Sequence, residues 1–260
     1  MEPTYNELAG IRATQIKAFA NGGELALYAA TYGKHEDTPS MAFGRLCHEL
    51  ALLGHTETFI VNDRFADFRT KEAREWKAEM ASKGISIVSA DDMARAGAVA
   101  KRYAEVCENF DLRVGNCEHE AVLVHEGKKA QIDELRTYEG GSIVIDFKTI
   151  ADVTSAAKQF WSLRYDLQAG HYTGVVNAVR PENKVSAFAF VFVETTFPFR
   201  AAVIQMKGNE LIAATELADQ YFAKVSAILN RNGDHAEQYN PIVLDEDAHR
   251  PDWVSDRFLS

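Results

Sequence analysis

The chain has 260 residues, 47% of them apolar, enough for one large α/β domain with a sizeable core. Its net charge of −10 is not that of a broadly basic nucleic-acid binder, although a local basic channel can coexist with an acidic exterior. Cys47, Cys107 and Cys117 are scattered with no Cys-x-x-Cys pair, which excludes a zinc ribbon and a four-cysteine iron–sulfur cluster and suits a reducing cytosol.

The first helical pattern runs over Ile11–Phe19, with Thr14 available as a cap. Asn21-Gly22-Gly23 breaks it, and Glu24–Tyr32 reads as a second short helix. Gly33–Pro39 is polar and turn-like. Ser40–Leu53 is a stronger helix, with Ser40 as N-cap and Phe43, Leu46, Cys47 and Leu50 on one face. His48 lies one position from that stripe, where a packed or solvated histidine is the commoner role.

Thr56–Val61 reads as a short strand, Lys71–Lys83 as a charged helix and Ile85–Val88 as a brief strand. Ser89-Ala90-Asp91-Asp92 resembles a capping box and opens a long helix to about Phe110. Cys117–His125 alternates as a strand, with Glu118 and Glu120 in phase with Val122 and Val124. Gly127-Lys128-Lys129 is the expected turn into a strand over Ala130–Tyr138. Gly140-Gly141 turns again into Ser142–Thr149. Two helices follow, Thr154–Trp161 and Arg164–Val179. An aromatic strand over Lys184–Thr195 pairs with Phe199–Met206, and Gly208–Leu229 is a long amphipathic helix. From Asn232 the chain turns polar and is expected to lie across the surface. There are no repeats. Met1–Gly10 lacks a signal-peptide pattern, and no apolar stretch is long enough to span a membrane, so a cytoplasmic location is expected.

The chemistry concentrates in Ile143-Val144-Ile145-Asp146-Phe147-Lys148-Thr149. Three β-branched residues read as a buried strand, yet Asp146 and Lys148 follow where the core should stay apolar. Strand alternation places i and i+2 on one face, so a carboxylate and an ammonium project together. Asp133 ends the preceding strand and Glu120 lies in the one before. Carboxylates and a lysine at neighbouring strand ends suit a divalent cation. The bland alternative is a surface ion pair, and for the Asp146/Lys148 spacing alone it is the better reading. Tyr165, Gln168 and Tyr172 share one face of the following helix.

Taken in order, these segments resemble the PD-(D/E)XK nuclease superfamily and, more narrowly, the RecE-type (exonuclease VIII-like) exonucleases. The matching pieces are Gly44-Arg45-Leu46-Cys47-His48 on an early helix, the Glu120-led strand, Gln131-Ile132-Asp133, Asp146-Phe147-Lys148-Thr149, the Tyr165/Gln168/Tyr172 helix and Phe190-Val191-Phe192-Val193-Glu194-Thr195. The Arg-Pro that precedes the family's aspartate is missing before Asp133. Glu118 and Glu120 compete for the family's glutamate, and Glu120 is preferred because it directly precedes the apolar run. The match spans about Thr14 to Leu229; each motif is weak alone, but their order is specific.

The resemblance implies an α/β, restriction-endonuclease-like core with a central mixed sheet flanked by helices. A single domain over 1–260 is expected: a helical part to about 110, a catalytic core over about 115–230 and a tail over 231–260. The implied activity is magnesium-dependent hydrolysis of linear double-stranded DNA, with manganese as a substitute, 5′ to 3′, leaving 3′ single strands for recombination by annealing. His48, Glu120, Asp133, Asp146 and the Phe147 carbonyl would hold metal. Lys148, Gln168 and Tyr172 would act on the phosphate beside those acids. Arg12, Thr14, Arg45, Arg164, Tyr165 and Gln168 would contact DNA. A single-strand annealing protein, a ring-like homo-oligomer and a bacterial or phage origin are further implications. Alternatives are a RecB-like or CRISPR-associated nuclease, which commonly carries the four-cysteine cluster absent here, or a catalytically idle DNA- or protein-binding module on the same fold.

Overall fold

The computed structural model describes Tyr5, residues 7–33 and residues 38–231. The polar segment expected after Asn232, and the middle of the turn before Pro39, lie outside those residues.

Helix α1 (Ala13–Tyr32) is two helical stretches joined across a kink at Gly22 and Gly23, where the Asn21-Gly22-Gly23 break is expected. At the kink Gly23 has φ 65° and ψ −154°, a backbone region open essentially to glycine alone. Its cap is Arg12, not Thr14: the Arg12 N–H donates to Gln15 Oε1 at 2.9 Å. Helix α2 (Pro39–Leu53) is capped by Thr38, whose Oγ accepts from Met41 N at 3.2 Å. Ser40 therefore lies inside the first turn, because Pro39 fits the first helical position, where no N–H is needed. Strands β1 (Phe59–Val61) and β2 (Ser86–Val88) form a small parallel pair around α3 (Lys71–Ser82). The long α4 (Ala90–Asn109) is capped by Ser89 as expected.

The main sheet has the order β3-β4-β5-β6-β7. Its strands are β3 (Asn116–His125), β4 (Lys128–Tyr138), β5 (Gly141–Ile150), β6 (Val185–Glu194) and β7 (Ala201–Lys207). Only β5 and β6 pair in parallel, because α5 (Ala156–Ser162) and α6 (Tyr165–Val179) form the crossover between them. All other pairs are antiparallel, so the sheet is mixed. Helix α7 (Gly208–Arg231) closes the chain. The β3–β4 turn is tighter than Gly127-Lys128-Lys129 suggests. Lys129 already belongs to β4, its N–H donating to Ile11 O at 3.0 Å while Ile11 N donates to Gly127 O at 2.8 Å.

Both faces of the sheet are covered. Val144, Leu135, Phe188, Phe190 and Phe192 pack against α5, α6 and the start of α7. Ile145, Phe147, Ala189, Val191 and Val193 pack against α2 and α4. Each fully buried residue of this size contributes about 1.5–3 kcal/mol of burial, which holds β5 firmly between two helical layers. A third cluster joins α1, α6 and α7 through Ile16, Leu27, Leu167, Ala218 and Val225. Among the described residues no helix is long and apolar enough to cross a membrane.

Candidate active site

Strand β5 alternates between the two layers, so Asp146 and Lys148 follow Val144 towards α6 while Phe147 points with Ile145 towards α2 and α4. Asp146 is only 3% exposed. Its Oδ2 pairs with the Lys148 ammonium and its Oδ1 accepts from Gln168 Nε2. A lone pair of charges at this depth would be costly unless matched by such partners.

Asp133 arrives from β4 at the point where pairing with β5 stops, the last paired residues being Glu134 and Ile145. Its Oδ2 accepts the Phe147 N–H at 2.8 Å and lies 3.6 Å from His48 Nδ1. His48 reaches it from α2, its ring packed at 4.7 Å from that of Phe147. Gly44, one turn earlier, is why α2 comes so close: a Cβ there would already lie 3.3 Å from Thr149 Oγ1. The histidine is thus packed and also turned to the acids.

Glu120 has φ 51°, which interrupts the pleat of β3. Instead of acting together, the two in-phase glutamates part. Glu118 pairs with Arg180, while Glu120 lines the cleft and accepts from Gln131 Nε2. One ligand atom each from His48, Glu120 and Asp133 lies within 4.8 Å of the others.

These groups line a cleft of about 910 Å³. Arg12, Thr14, Arg45, Tyr165, Gln168 and Tyr172 line it too. Of the residues singled out from sequence, Phe147 contributes backbone only, its side chain being core. Arg164 lies apart: it forms a two-pronged pair with Asp166 and its guanidinium sits 5.7 Å from the Tyr221 ring.

The electrostatics are those of crowded acids. Burial, reinforced by the Asp146 charge, pushes the Asp133 carboxyl well above the usual range. Burial also raises Glu120, against the lowering effect of the Gln131 amide. Burial opposes the charge on Lys148, but Asp146 and Asp133 outweigh it and hold the ammonium above its ordinary value. Burial and then the Lys148 charge push His48 down to about 4, leaving a neutral imidazole with a free lone pair near neutrality. Burial, then the Asp146 charge, raises the Tyr172 phenol well above its ordinary value. Three acids held this close repel one another, and oxygen donors with one imidazole are what a hard divalent cation takes. The donor set fits such an ion.

Cys117, His119 and Glu134 form a second close group. There Glu134 is already engaged by Tyr103 Oη at 2.7 Å and Arg136 Nε at 2.7 Å.

Sequence reasoning missed Lys17. It comes from α1, donates to Gln168 Oε1 at 2.9 Å and lies 4.8 Å from the Tyr165 ring centre. Burial and the Lys148 charge lower it to about 8. No local signal marks it, since its partner is 151 residues away. Gln131 and Glu49 also line the cleft without having been singled out.

Residues 13–239 match the family described as PDDEXK-like domain of unknown function (DUF3799). A search of curated proteins finds no match. Among solved structures, a "Putative exonuclease" from Eubacterium rectale superposes with a TM-score of 0.60 at 13% identity, over 92% of this chain and 94% of that one. A phage-related exonuclease from Haemophilus somnus gives 0.38 at 16% identity, over 88% and 99%. An alkaline exonuclease from Laribacter hongkongensis gives 0.34 at 14%, over 75% and 100%.

Proposed function

The chain belongs to the PDDEXK-like family, and on that premise we propose that it is a metal-dependent nuclease that digests linear duplex DNA from its ends. The observation that carries this reading is the convergence of Glu120, Asp133, Asp146 and Lys148 in one cleft, from three successive strands of the sheet.

Glu120, Asp133 and Asp146, with His48 and the Phe147 carbonyl, would hold one or two magnesium or manganese ions. A divalent cation held by these residues would supply Lewis-acid activation of the phosphate and of water. Lys148, kept charged by its acids, orients the attacking water or steadies the charge growing on the phosphate. Gln168 fixes the Asp146 carboxylate and Tyr172 borders the phosphate. Arg12 and Arg45, with Thr14 and Tyr165, contact the sugar–phosphate backbone, which fixes register without reading sequence. Arg164 is committed to Asp166, and no DNA contact is proposed for it.

The finer reading rests on the resemblance to exonuclease VIII-like enzymes. It comprises 5′ to 3′ polarity, 3′ single strands passed to an annealing protein in recombination, a ring-like oligomer and a cytoplasmic, bacterial or phage-encoded setting. The net charge of −10 supports end-directed action. An acidic exterior repels DNA, so productive binding is confined to the cleft. The test is incubation of purified protein with linear duplex DNA and magnesium or manganese. Mononucleotide release that stops in EDTA is expected, and undiminished activity in EDTA would refute the proposal.

A further inference from the structure

We infer that Lys17, on a helix outside the catalytic sheet, is a positioning residue that fixes the Gln168 amide and through it the Asp146 carboxylate. This rests on the nuclease reading for its consequence, but its geometry stands alone.

The chain of contacts is Lys17 Nζ to Gln168 Oε1 at 2.9 Å, then Gln168 Nε2 to Asp146 Oδ1. A lysine ammonium only donates and an ionised carboxylate only accepts, whereas an amide does one at each end. With Lys17 on one side and Asp146 on the other, a single amide orientation satisfies both. Removing the ammonium leaves the amide oxygen unheld, so the amide is no longer clamped from both ends and can swing away from the carboxylate. Asp146 Oδ2 is ion-paired with Lys148 but accepts no hydrogen bond, so the Gln168 amide is the one directional hold on the carboxylate among the described residues. Loss of the Gln168 arm leaves it free to follow Lys148 alone.

The lysine is itself anchored. Ile11 is tied to β4 at one end of the segment, and Asn21 Nδ2 donates to Ser162 O at 3.0 Å at the other. The Tyr165 ring lies beneath both ammonium groups, 4.8 Å from Lys17 and 5.3 Å from Lys148, and keeps the two cations on separate paths to the same acid. Helix α1 before its kink therefore completes a site whose proposed metal-holding acids, Glu120, Asp133 and Asp146, come from the sheet.

The test is a double-mutant cycle with two readouts, cleavage of linear DNA and manganese affinity by calorimetry. Lys17→Met should lower kcat and weaken manganese binding on the order of 10- to 100-fold, as loss of a residue behind a metal ligand does, with KM for DNA nearly unchanged. Lys17→Arg should restore most of both. In a Gln168→Ala background, Lys17→Met should add little, because the hydrogen-bonded route through the amide is gone. Additive losses would overturn the inference. So would a raised KM with steeper salt dependence at unchanged kcat, which would mark a direct DNA contact. If Lys17→Met does not fold, Lys17→Gln takes its place in the cycle. Should the parent protein cleave no DNA while Lys17→Met still weakens manganese binding, the nuclease reading fails and the positioning role stands. A cleaving parent with an unaffected Lys17→Met has the opposite meaning.

Discussion

Asp133 takes the backbone N–H of Phe147 at 2.8 Å, at the step where the β4–β5 ladder has run out. One carboxylate thus closes the sheet and faces the cleft. The two roles separate on substitution. Asp133→Asn keeps an acceptor for that N–H and removes a charge that crowds Asp146. It should hold or raise the melting temperature of metal-free protein while abolishing metal binding. Asp133→Ala orphans a buried N–H and should cost about 1–3 kcal/mol. Denaturant titration of both variants checks this, and equal loss of stability in the two would contradict it.

Asp146 and Lys148 touch, but their losses should differ. Asp146→Asn should lose metal binding and cleavage together. Lys148→Ala should keep a measurable metal affinity while turnover falls by roughly two or more orders of magnitude. Parent-rate cleavage by Lys148→Ala would remove the lysine from the mechanism.

His48 is packed on Phe147 and lies near Asp133, so it should show both debts. His48→Ala should weaken manganese binding and also lower the melting temperature of metal-free protein. Lost stability with unchanged metal affinity would leave it a packing residue only.

Acid stability has a source away from the cleft. Glu194, buried at the end of β6, accepts from Arg200 Nη2 at 2.6 Å and from Val153 N at 3.0 Å. The Arg200 and Val153 donors hold its carboxyl down at about 2. A depressed carboxyl contributes stability above its unfolded pKa, and that contribution drains as pH falls from about 4.5 towards about 2. Glu194→Gln should be less stable than the parent at pH 6, with the gap closing by pH 2. A gap independent of pH would show that the ion pair is not its origin.

Polarity is read by labelling each terminus of a linear fragment in turn. Early release of the 5′ label, with covalently closed circles left intact, is expected. First release of the 3′ label would reject the exonuclease VIII-like assignment and leave the metal-dependent nuclease in place.

Much of the site is written in local pattern. Val144, Ile145, Asp146, Phe147 and Lys148 show a buried strand and a polar pair on one face, because alternation is a property of any extended chain. The order of Glu120, Asp133, Asp146, Gln168 and Tyr172 carries the family, and the five-stranded mixed sheet follows that order. Tertiary structure decided the rest. Glu118 and Glu120 are equivalent by periodicity; sequence prefers Glu120 only by its place before the apolar run, and the φ of 51° at Glu120, with Arg180 taking Glu118, parts them in space. Arg164 resembles a cleft arginine until Asp166 takes it. Lys17 resembles any exposed helix lysine until α1 packs on α6 and hands it Gln168. Sequence spacing fixes which face a side chain takes on its own element; which element meets that face is set by long-range packing, and there the partner can lie 151 residues away.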